Sequence, residues 1–239
     1  DPAYYNRNGW AGRLAVGGVW VLDSPHNNAL SHAVNAMCYL VCRRQDDSLT
    51  PVAVQAELYR ANSIESADTA VFRAATAEGT EIFFAVTHCS EEEIPPRYEI
   101  RGELGRIEMS YEGEAAVVWN DGRREALAAA KCERTLFADV VHAASADNGK
   151  PRATLDHARA QTLLVCGSFE SAQICEIPLA LRLADARSGR ISVRGMSGWV
   201  VAAYESAALF SELDLDWAVP GQWVDLEGYS YFPSLKRAG

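Results

Sequence analysis

The sequence predicts an α+β fold built on a large, open, mostly antiparallel sheet with helices on one face. Between Pro51 and Leu127, short runs of β-forming or alternating residues are separated by turn residues, as in successive antiparallel strands. Apolar residues at helical spacing precede and follow that stretch, so strands and helices do not alternate as a doubly wound fold requires. We treat residues 1–239 as a single domain.

The first elements lie before that sheet. Residues 10–22 predict a pair of extended strands that turns at Gly17-Gly18. Asp23-Ser24-Pro25 then predicts a helix start, with an N-cap residue followed by proline at the first helical position. The segment from His26 to Cys42 repeats apolar residues at helical spacing, so we expect a helix there.

The later elements follow from the same two periodicities. Strands are predicted at 52–59, 69–74, 81–87, 97–101, 106–111 and 115–119. Helical spacing returns at 132–144, at 155–174 and, more weakly, at 197–212.

Composition excludes several classes of function. The net charge of −10 disfavours a nucleic-acid partner, because such proteins concentrate Lys and Arg. No apolar run approaches the ~20 residues that span a bilayer, so we expect no membrane association. The first residues have neither the basic nor the apolar region of a signal peptide.

Cysteine and glycine patterns narrow the classes further. The six cysteines form no Cys-x-x-Cys pair and no zinc-finger spacing, so we expect buried free thiols, no metal and a reducing, cytoplasmic compartment. No Gly-x-Gly-x-x-Gly follows a strand and opens a helix, and no P-loop is present. We therefore expect no nucleotide cofactor bound to this chain.

Three stretches, in this order and spacing, resemble the C-terminal domain of the glucose–fructose oxidoreductase / inositol dehydrogenase (Gfo/Idh/MocA) family. Residues 18–32 resemble its strand–Asp–helix junction. Residues 98–108, with Gly102 and Gly105, resemble its glycine-linked strand pair. The predicted helix at 154–172 is similar to the family's helix that ends in Ser-Ala. Residues 209–213 resemble a later segment of the family, so the resemblance covers nearly the whole chain.

The resemblance implies a sheet like that of the C-terminal domain of glyceraldehyde-3-phosphate dehydrogenase. In the resembled family, this sheet holds a carbohydrate or polyol substrate and packs against a partner subunit. It also implies an N-terminal Rossmann domain that binds NAD or NADP and supplies a catalytic lysine. Residues 1–239 contain neither the Rossmann domain nor the Glu-Lys-Pro motif that carries this lysine. We therefore expect a fragment that starts near the boundary between the Rossmann domain and the C-terminal domain. The partners are then a small carbohydrate or polyol, the missing Rossmann domain, and further copies in a homo-dimer or tetramer formed through the sheet.

Candidate catalytic residues follow from the junction. The family pattern resembles Asp-x-x-x-His, whose imidazole takes a proton from the sugar hydroxyl, but here the pattern is Asp23-x-x-x-Asn27. An amide does not carry a proton near neutral pH, whereas imidazole does. Asp23, His26 and His32 are therefore the candidate catalytic residues, with His26 or His32 replacing the family histidine.

Candidate substrate-binding residues surround that junction. Asn28 and His32 belong to a polar stripe at helical spacing, which either faces substrate or faces solvent. Tyr5, Arg7 and Trp10 precede the junction, where they either stack on and hydrogen-bond a sugar or pack internally. With Asn27 and Asn28, these three complete the candidate binding set.

Other chemistry-bearing residues give weaker patterns. Asp139 and His142 are spaced to share a helix face, which suits a metal or dyad but is more typical of a surface pair. Glu91-Glu92-Glu93 predicts a solvated loop, although paired carboxylates serve glycosidases. His88 beside Cys89 has no third partner in sequence, so a Cys–His nucleophile is weakly indicated.

Three functions remain open at the sequence level. The leading hypothesis is the substrate-binding and oligomerisation half of an NAD(P)-dependent sugar or polyol oxidoreductase, with a chain that is inactive alone. Asn27 at the family's histidine position motivates the alternative, a non-catalytic carbohydrate-binding or dimerisation module of the same fold. A carbohydrate hydrolase or lyase requires two acids at a defined separation, which sequence does not give.

Overall fold

The computed structural model describes residues 2–42, 48–110, 113–128, 136–146 and 149–233. These residues form two compact units. Unit 1 contains the described residues up to Glu93 and those from Asp156 onwards, and unit 2 contains those from Ile94 to Leu155.

The elements of the described residues have the following bounds. The helices are α1 (Pro2–Tyr5), α2 (Ser31–Leu40), α3 (Leu136–Ser145), α4 (Leu155–Ser171) and α5 (Met196–Ser206), with 3-10 turns at Leu179–Leu181 and Phe210–Glu212. The strands are β1 (Ala15–Val16), β2 (Val19–Trp20), β3 (Pro51–Arg60), β4 (Thr69–Thr76), β5 (Glu81–Thr87), β6 (Arg97–Gly102), β7 (Gly105–Ser110), β8 (Ala115–Trp119), β9 (Arg124–Leu127), β10 (Ile174–Glu176), β11 (Arg182–Ala184), β12 (Ile191–Val193) and β13 (Val224–Asp225).

The predicted hairpin ahead of the junction is confirmed. β1 and β2 pair antiparallel, with Val16 opposite Val19. The turn between them is Gly17-Gly18, whose φ angles of 58° and 80° are both positive. A two-residue turn with positive φ at both positions matches the twist of the paired strands, and glycine adopts it without steric cost.

The helix after the junction begins later than predicted. Residues 24–30 form successive turns, and α2 starts only at Ser31. The backbone N–H groups of Asn27 and Asn28 both donate to the Ser24 carbonyl, and both Asn side chains bond to residues 21–23. Such local side-chain bonds compete with the helix, which is why the apolar spacing alone places the start too early.

Unit 1 is built on a five-stranded sheet in the order β10–β3–β4–β5, with β13 beside β3. All pairs are antiparallel except β10 with β3. On one face, cross-strand neighbours such as Ala56, Phe72 and Phe84 are buried. The helix α4 lies on this face, because the ring of His26 contacts both Phe72 of the sheet and Phe169 of α4.

The other face of this sheet is covered by the C-terminal part of the same chain. Tyr59 stacks on Phe210 with ring centroids 5.9 Å apart and meets Trp217 edge-on at 4.9 Å. Trp217 in turn contacts Trp199 of α5. The α+β class is confirmed. Within the described residues both faces of this sheet are covered, whereas the sequence predicted helices on one face.

Unit 2 holds a separate four-stranded antiparallel sheet in the order β6–β7–β8–β9. The tight turn predicted at Gly102–Gly105 is confirmed, since these two residues face each other at its ends. A Cβ on Gly105 would lie 2.3 Å from the Val118 carbonyl oxygen, so only glycine fits there. The strands that sequence placed in one large sheet therefore divide into two, and Pro95-Pro96 lies between them, where proline disfavours continued pairing.

Candidate functional site

Asp23 organises the loop at the strand–helix junction. Its side chain is 4% exposed, and its Oδ2 accepts a hydrogen bond of 2.6 Å from the backbone N–H of Gly12. Its Oδ1 accepts one of 2.7 Å from the Asn28 side-chain amide. The guanidinium of Arg7 lies 3.8 Å away, near enough to balance the charge without a direct hydrogen bond. Asp23 therefore joins three chain segments at one point.

His26, predicted as a proton carrier, is a core residue. It is fully buried and stacks on Phe169 at 5.4 Å between ring centroids. Its Nε2 lies 2.9 Å from the Ser168 hydroxyl oxygen. Because that hydroxyl donates its hydrogen to the Val165 carbonyl, Nε2 carries the proton and donates, which leaves Nδ1 as a buried nitrogen without a hydrogen-bond partner.

The burial of His26 decides its protonation. Burial lowers its pKa to about 3, since a proton added at Nδ1 would have neither solvent nor an acceptor. A residue that is neutral at physiological pH and inaccessible to substrate does not exchange protons with one. The prediction of His26 as catalytic is therefore wrong, because the turns at 24–30 direct its ring inward.

Asn27, at the position of the family's histidine, stabilises the backbone. Its side-chain Nδ2 donates to the carbonyls of Val21 (3.1 Å) and Leu22 (3.2 Å). Leu22 has a φ of 50°, an uncommon conformation for a branched side chain, and the amide holds the chain in it. The side-chain nitrogen is thereby bonded within the protein, and the predicted substrate-binding role of Asn27 stays a prediction.

The segment after α1 brings an arginine and two aromatic rings together. The guanidinium of Arg7 lies 3.8 Å from the Tyr4 ring centroid and 5.1 Å from that of Trp10. Its side chain is 28% exposed, and Trp10 is 39% exposed. The cation–π contacts fix the planar donor group beside Asp23 while part of it stays accessible. The binding role of Arg7 and Trp10 stays a prediction.

Sequence reasoning underestimated His88, which follows β5 directly. Its Nδ1 lies 3.3 Å from the hydroxyl oxygen of Tyr5. Its ring meets the Tyr4 ring edge-on, with centroids 5.1 Å apart. The backbone N–H of His88 donates to the carbonyl of Asp68, which fixes the strand end. The site thus contains an imidazole, but one supplied by a strand end and not by the junction.

The charges around this imidazole act in opposite directions. Burial lowers the pKa of His88, whereas the carboxylates of Asp68 and Asp23 raise it. Burial, followed by the effect of Asp68, raises the pKa of Tyr5, so its phenol keeps its proton. The resting state is therefore a neutral imidazole beside a protonated phenol, with two carboxylates near enough to stabilise a positive charge on the ring.

His32 lies apart from the hydrogen bonds of this group. It occupies the first turn of α2 and is exposed. The structure thus brings Tyr5, Arg7, Asp23 and Asn28 together, and it adds His88. Residue spacing did not reveal His88, because the two tyrosines that its ring contacts, Tyr4 and Tyr5, are 83 or more positions away in the chain; its place at a strand end was the available signal.

The weaker candidates have structural roles. Glu91 accepts from the backbone N–H groups of Gly195 and Ser197 at the start of α5, as a capping carboxylate does. Asp139 pairs with Arg152 at 3.0 Å. Cys89 is buried, and burial together with Asp68 raises its pKa, which opposes formation of a nucleophilic thiolate.

Two further properties hold for the described part of the chain. No group of three or more His, Cys, Asp or Glu side chains there is arranged to hold a metal ion. None of its helices has both the length and the apolar character needed to cross a bilayer.

No protein-family model and no curated protein matches the sequence. Among solved structures, the chain resembles an NAD-binding protein from Listeria innocua at 15% identity and a TM-score of 0.52, covering 69% of this chain and 52% of that one. It also resembles the WlbA dehydrogenase from Chromobacterium violaceum in complex with NADH and UDP-GlcNAcA, at 18% identity and a TM-score of 0.52, covering 71% and 48%. The chain shares the fold of part of these proteins.

The WlbA dehydrogenase from Bordetella pertussis gives similar values, with 18% identity, a TM-score of 0.49 and coverage of 71% and 50%. The chain spans about half the length of the solved structures it matches. At these identities the likeness shows the fold alone. It confirms the predicted α+β class.

Proposed function

We propose that this chain is the substrate-binding half of an NAD(P)-dependent sugar or polyol oxidoreductase. The observation that carries the proposal is the cluster of Tyr5, Arg7, Asp23, Asn28 and His88. Three segments of the chain converge there through hydrogen bonds of 2.7 and 3.3 Å and the Arg7–Asp23 ion pair at 3.8 Å. The fold shared with NAD-binding proteins supports the same conclusion.

The chemistry of the cluster suits a polyhydroxylated ligand. A sugar hydroxyl both donates and accepts hydrogen bonds, and the cluster offers a phenol, an amide and a guanidinium as partners. The part-exposed rings of Tyr4 and Trp10 provide apolar faces for the C–H side of a sugar ring. In this proposal, Asp23 and Asn28 hold the loop in position while Arg7 and Tyr5 contact the ligand.

The nicotinamide cofactor belongs to another part of the parent protein in this proposal. Within the described residues, no glycine-rich turn links a strand to a following helix in the way that holds a dinucleotide. The residues present do not fit NAD or NADP, and we assign no step to the cofactor here. The matching Rossmann domain, a cytoplasmic location, and assembly as a homo-dimer or tetramer complete the proposal.

One observation favours a second candidate, a non-catalytic carbohydrate-binding or dimerisation module of the same fold. The amide of Asn27 is bound to the backbone and His26 is buried, so neither supplies the proton carrier expected at the junction. The two candidates share the ligand class and differ in whether a proton acceptor operates at the site.

Calorimetric titration tests the proposed ligand class. The chain is titrated with myo-inositol, glucose, glucuronate and UDP-N-acetylglucosamine, and separately with NADH. We expect at least one carbohydrate to bind and NADH to bind negligibly. Arg7→Gln should weaken carbohydrate binding by about tenfold or more, because a charged hydrogen bond is worth ~1.5–3 kcal/mol.

The matched control is Arg187→Gln, which removes the same charge from an exposed arginine in the loop between β11 and β12. It should bind as the unaltered chain does. Absence of binding by every carbohydrate, or tight binding of NADH, contradicts the proposed function. Equal affinity of the Arg7→Gln variant would show that the ligand lies elsewhere.

A further inference from the structure

We propose that Tyr5 and His88 form a proton relay that accepts the hydroxyl proton of the bound sugar or polyol, in place of the histidine that Asn27 replaces at the junction. The inference rests on the proposed function and extends it to the path of a proton. Its basis is geometric: the phenol oxygen lies 3.3 Å from Nδ1, and the His88 ring meets the Tyr4 ring, over which lies the Arg7 guanidinium that pairs with Asp23.

The hydrogen bond between Tyr5 and His88 has a defined direction. Burial and Asp68 hold Tyr5 as a neutral phenol, and burial favours the neutral imidazole of His88. With Nδ1 unprotonated, the Tyr5 hydroxyl donates to it, so the lone pairs of the phenol oxygen can accept a hydrogen bond from a ligand hydroxyl. The separation of 3.3 Å is long, and bonds of this kind often shorten when substrate binds.

The relay produces a positive charge on His88. The ligand hydroxyl gives its proton to the Tyr5 oxygen while the phenolic proton passes to Nδ1, which leaves a neutral phenol and an imidazolium. The carboxylates of Asp68 and Asp23 stabilise that imidazolium, and Asp68 is completely buried, so little solvent screens it. Oxidation of the carbinol also requires a hydride acceptor of the nicotinamide class from outside these residues.

The groups that face His88 come from four parts of unit 1. They are Tyr4 and Tyr5 of α1, Arg7 after that helix, Asp23 at the junction and Asp68 before β4. Arg7 opposes a charge on His88, whereas the two carboxylates favour it. Burial outweighs the two carboxylates and lowers the pKa of His88, so the resting imidazole is neutral and the carboxylates act on the charge that forms during the reaction.

The histidines predicted from sequence do not offer this arrangement. His26 is buried with its Nε2 bonded to Ser168. His32 is exposed in α2, away from the hydrogen bonds of the cluster.

The test measures carbohydrate affinity between pH 5 and 8 by calorimetry, using the myo-inositol, glucose, glucuronate and UDP-N-acetylglucosamine panel. Once protonated, His88 donates to the Tyr5 oxygen, which then no longer accepts a hydrogen bond from the ligand hydroxyl. The affinity for carbohydrate should therefore fall by up to about tenfold per pH unit below the pKa of His88. Tyr5→Phe and His88→Asn should each flatten this profile. His142→Asn, an exposed histidine of unit 2, should leave it unchanged.

Each outcome decides the matter. Loss of the pH dependence in both variants, with the control unaffected, supports the relay. A pH profile that persists in Tyr5→Phe, or affinity independent of pH in the unaltered chain, overturns the relay while the proposed function stands. Absence of binding by every carbohydrate at every pH rejects the proposed function and the relay with it. Circular dichroism of each variant confirms folding, and His88→Gln replaces any variant that does not fold.

Discussion

Two histidines, His26 at the strand–helix junction and His88 at the end of β5, have opposite environments. The first lies between the sheet and α4, without access to solvent and with its only bonded nitrogen on Ser168. The second lies beside Tyr5 with carboxylates nearby. Proximity to a motif in sequence therefore does not show whether a histidine is accessible; the backbone path through the junction decides it.

The largest expected effect is on stability at the junction. His26→Ala removes a fully buried ring that stacks on Phe169, and it leaves a cavity between the sheet and α4. Large-to-small core substitutions cost ~2–5 kcal/mol, so we expect a clear loss in the free energy of unfolding by urea titration. His88→Ala, which empties a less buried position, should cost less than half as much; equal losses would contradict the contrast between the two sites.

Acid sensitivity gives the second contrast. The pKa of His26 is about 3 in the folded chain and near 6.5 when unfolded, so only the unfolded state gains its proton between these values. The stability contributed by neutral His26 is full above pH 6.5 and is lost as pH falls towards 3, by up to a few kcal/mol. His26→Gln, which keeps a donor near Ser168 and does not titrate, should show a shallower decline in urea titrations across this range; an unchanged slope would show that other groups cause the acid sensitivity.

A smaller effect is expected at Asn27. Asn27→His introduces the histidine of the resembled family's pattern. It removes the two hydrogen bonds from Asn27 to the carbonyls of Val21 and Leu22, and Leu22 has a positive φ. We expect a loss of ~1–3 kcal/mol in thermal and urea unfolding and no gain in carbohydrate affinity. A variant that is as stable as the original chain and binds carbohydrate more tightly would restore the junction as the catalytic position.

The smallest stability effect belongs to Tyr5→Phe. The bond that it removes is 3.3 Å long and only part-buried, so unfolding free energy should change by no more than ~1 kcal/mol. Its effect should appear in the pH dependence of binding instead. A large destabilisation would indicate that Tyr5 is a packing residue and would remove the basis for the relay.

Sequence predicted the local elements better than their assembly. The hairpin at Gly17-Gly18 and the strands β3 to β8 follow from turn glycines and period-two alternation, which are local signals. The division into two sheets and the cover over Tyr59 depend on long-range contacts that no local pattern encodes. The helix start at residue 31 was missed because side-chain bonds of Asn27 and Asn28 override the apolar spacing.

The site shows the same limit. Tyr5, Arg7, Asp23 and Asn28 were identified because they flank a motif, and they do lie together. His88 joins them only through folding, since β5 ends beside α1. Its place at a strand end was the available signal in the sequence, and tertiary structure alone shows which residues lie beside it.

The most direct test of the carbohydrate site is chemical-shift mapping by NMR on the isotopically labelled chain, during titration with the highest-affinity carbohydrate of the panel. The account predicts that the signals of Tyr5, Arg7, Asn28 and His88 move together with one dissociation constant, while those of His26 and His142 stay in place. Shifts confined to other surfaces of the chain, or no shifts at all, would contradict it.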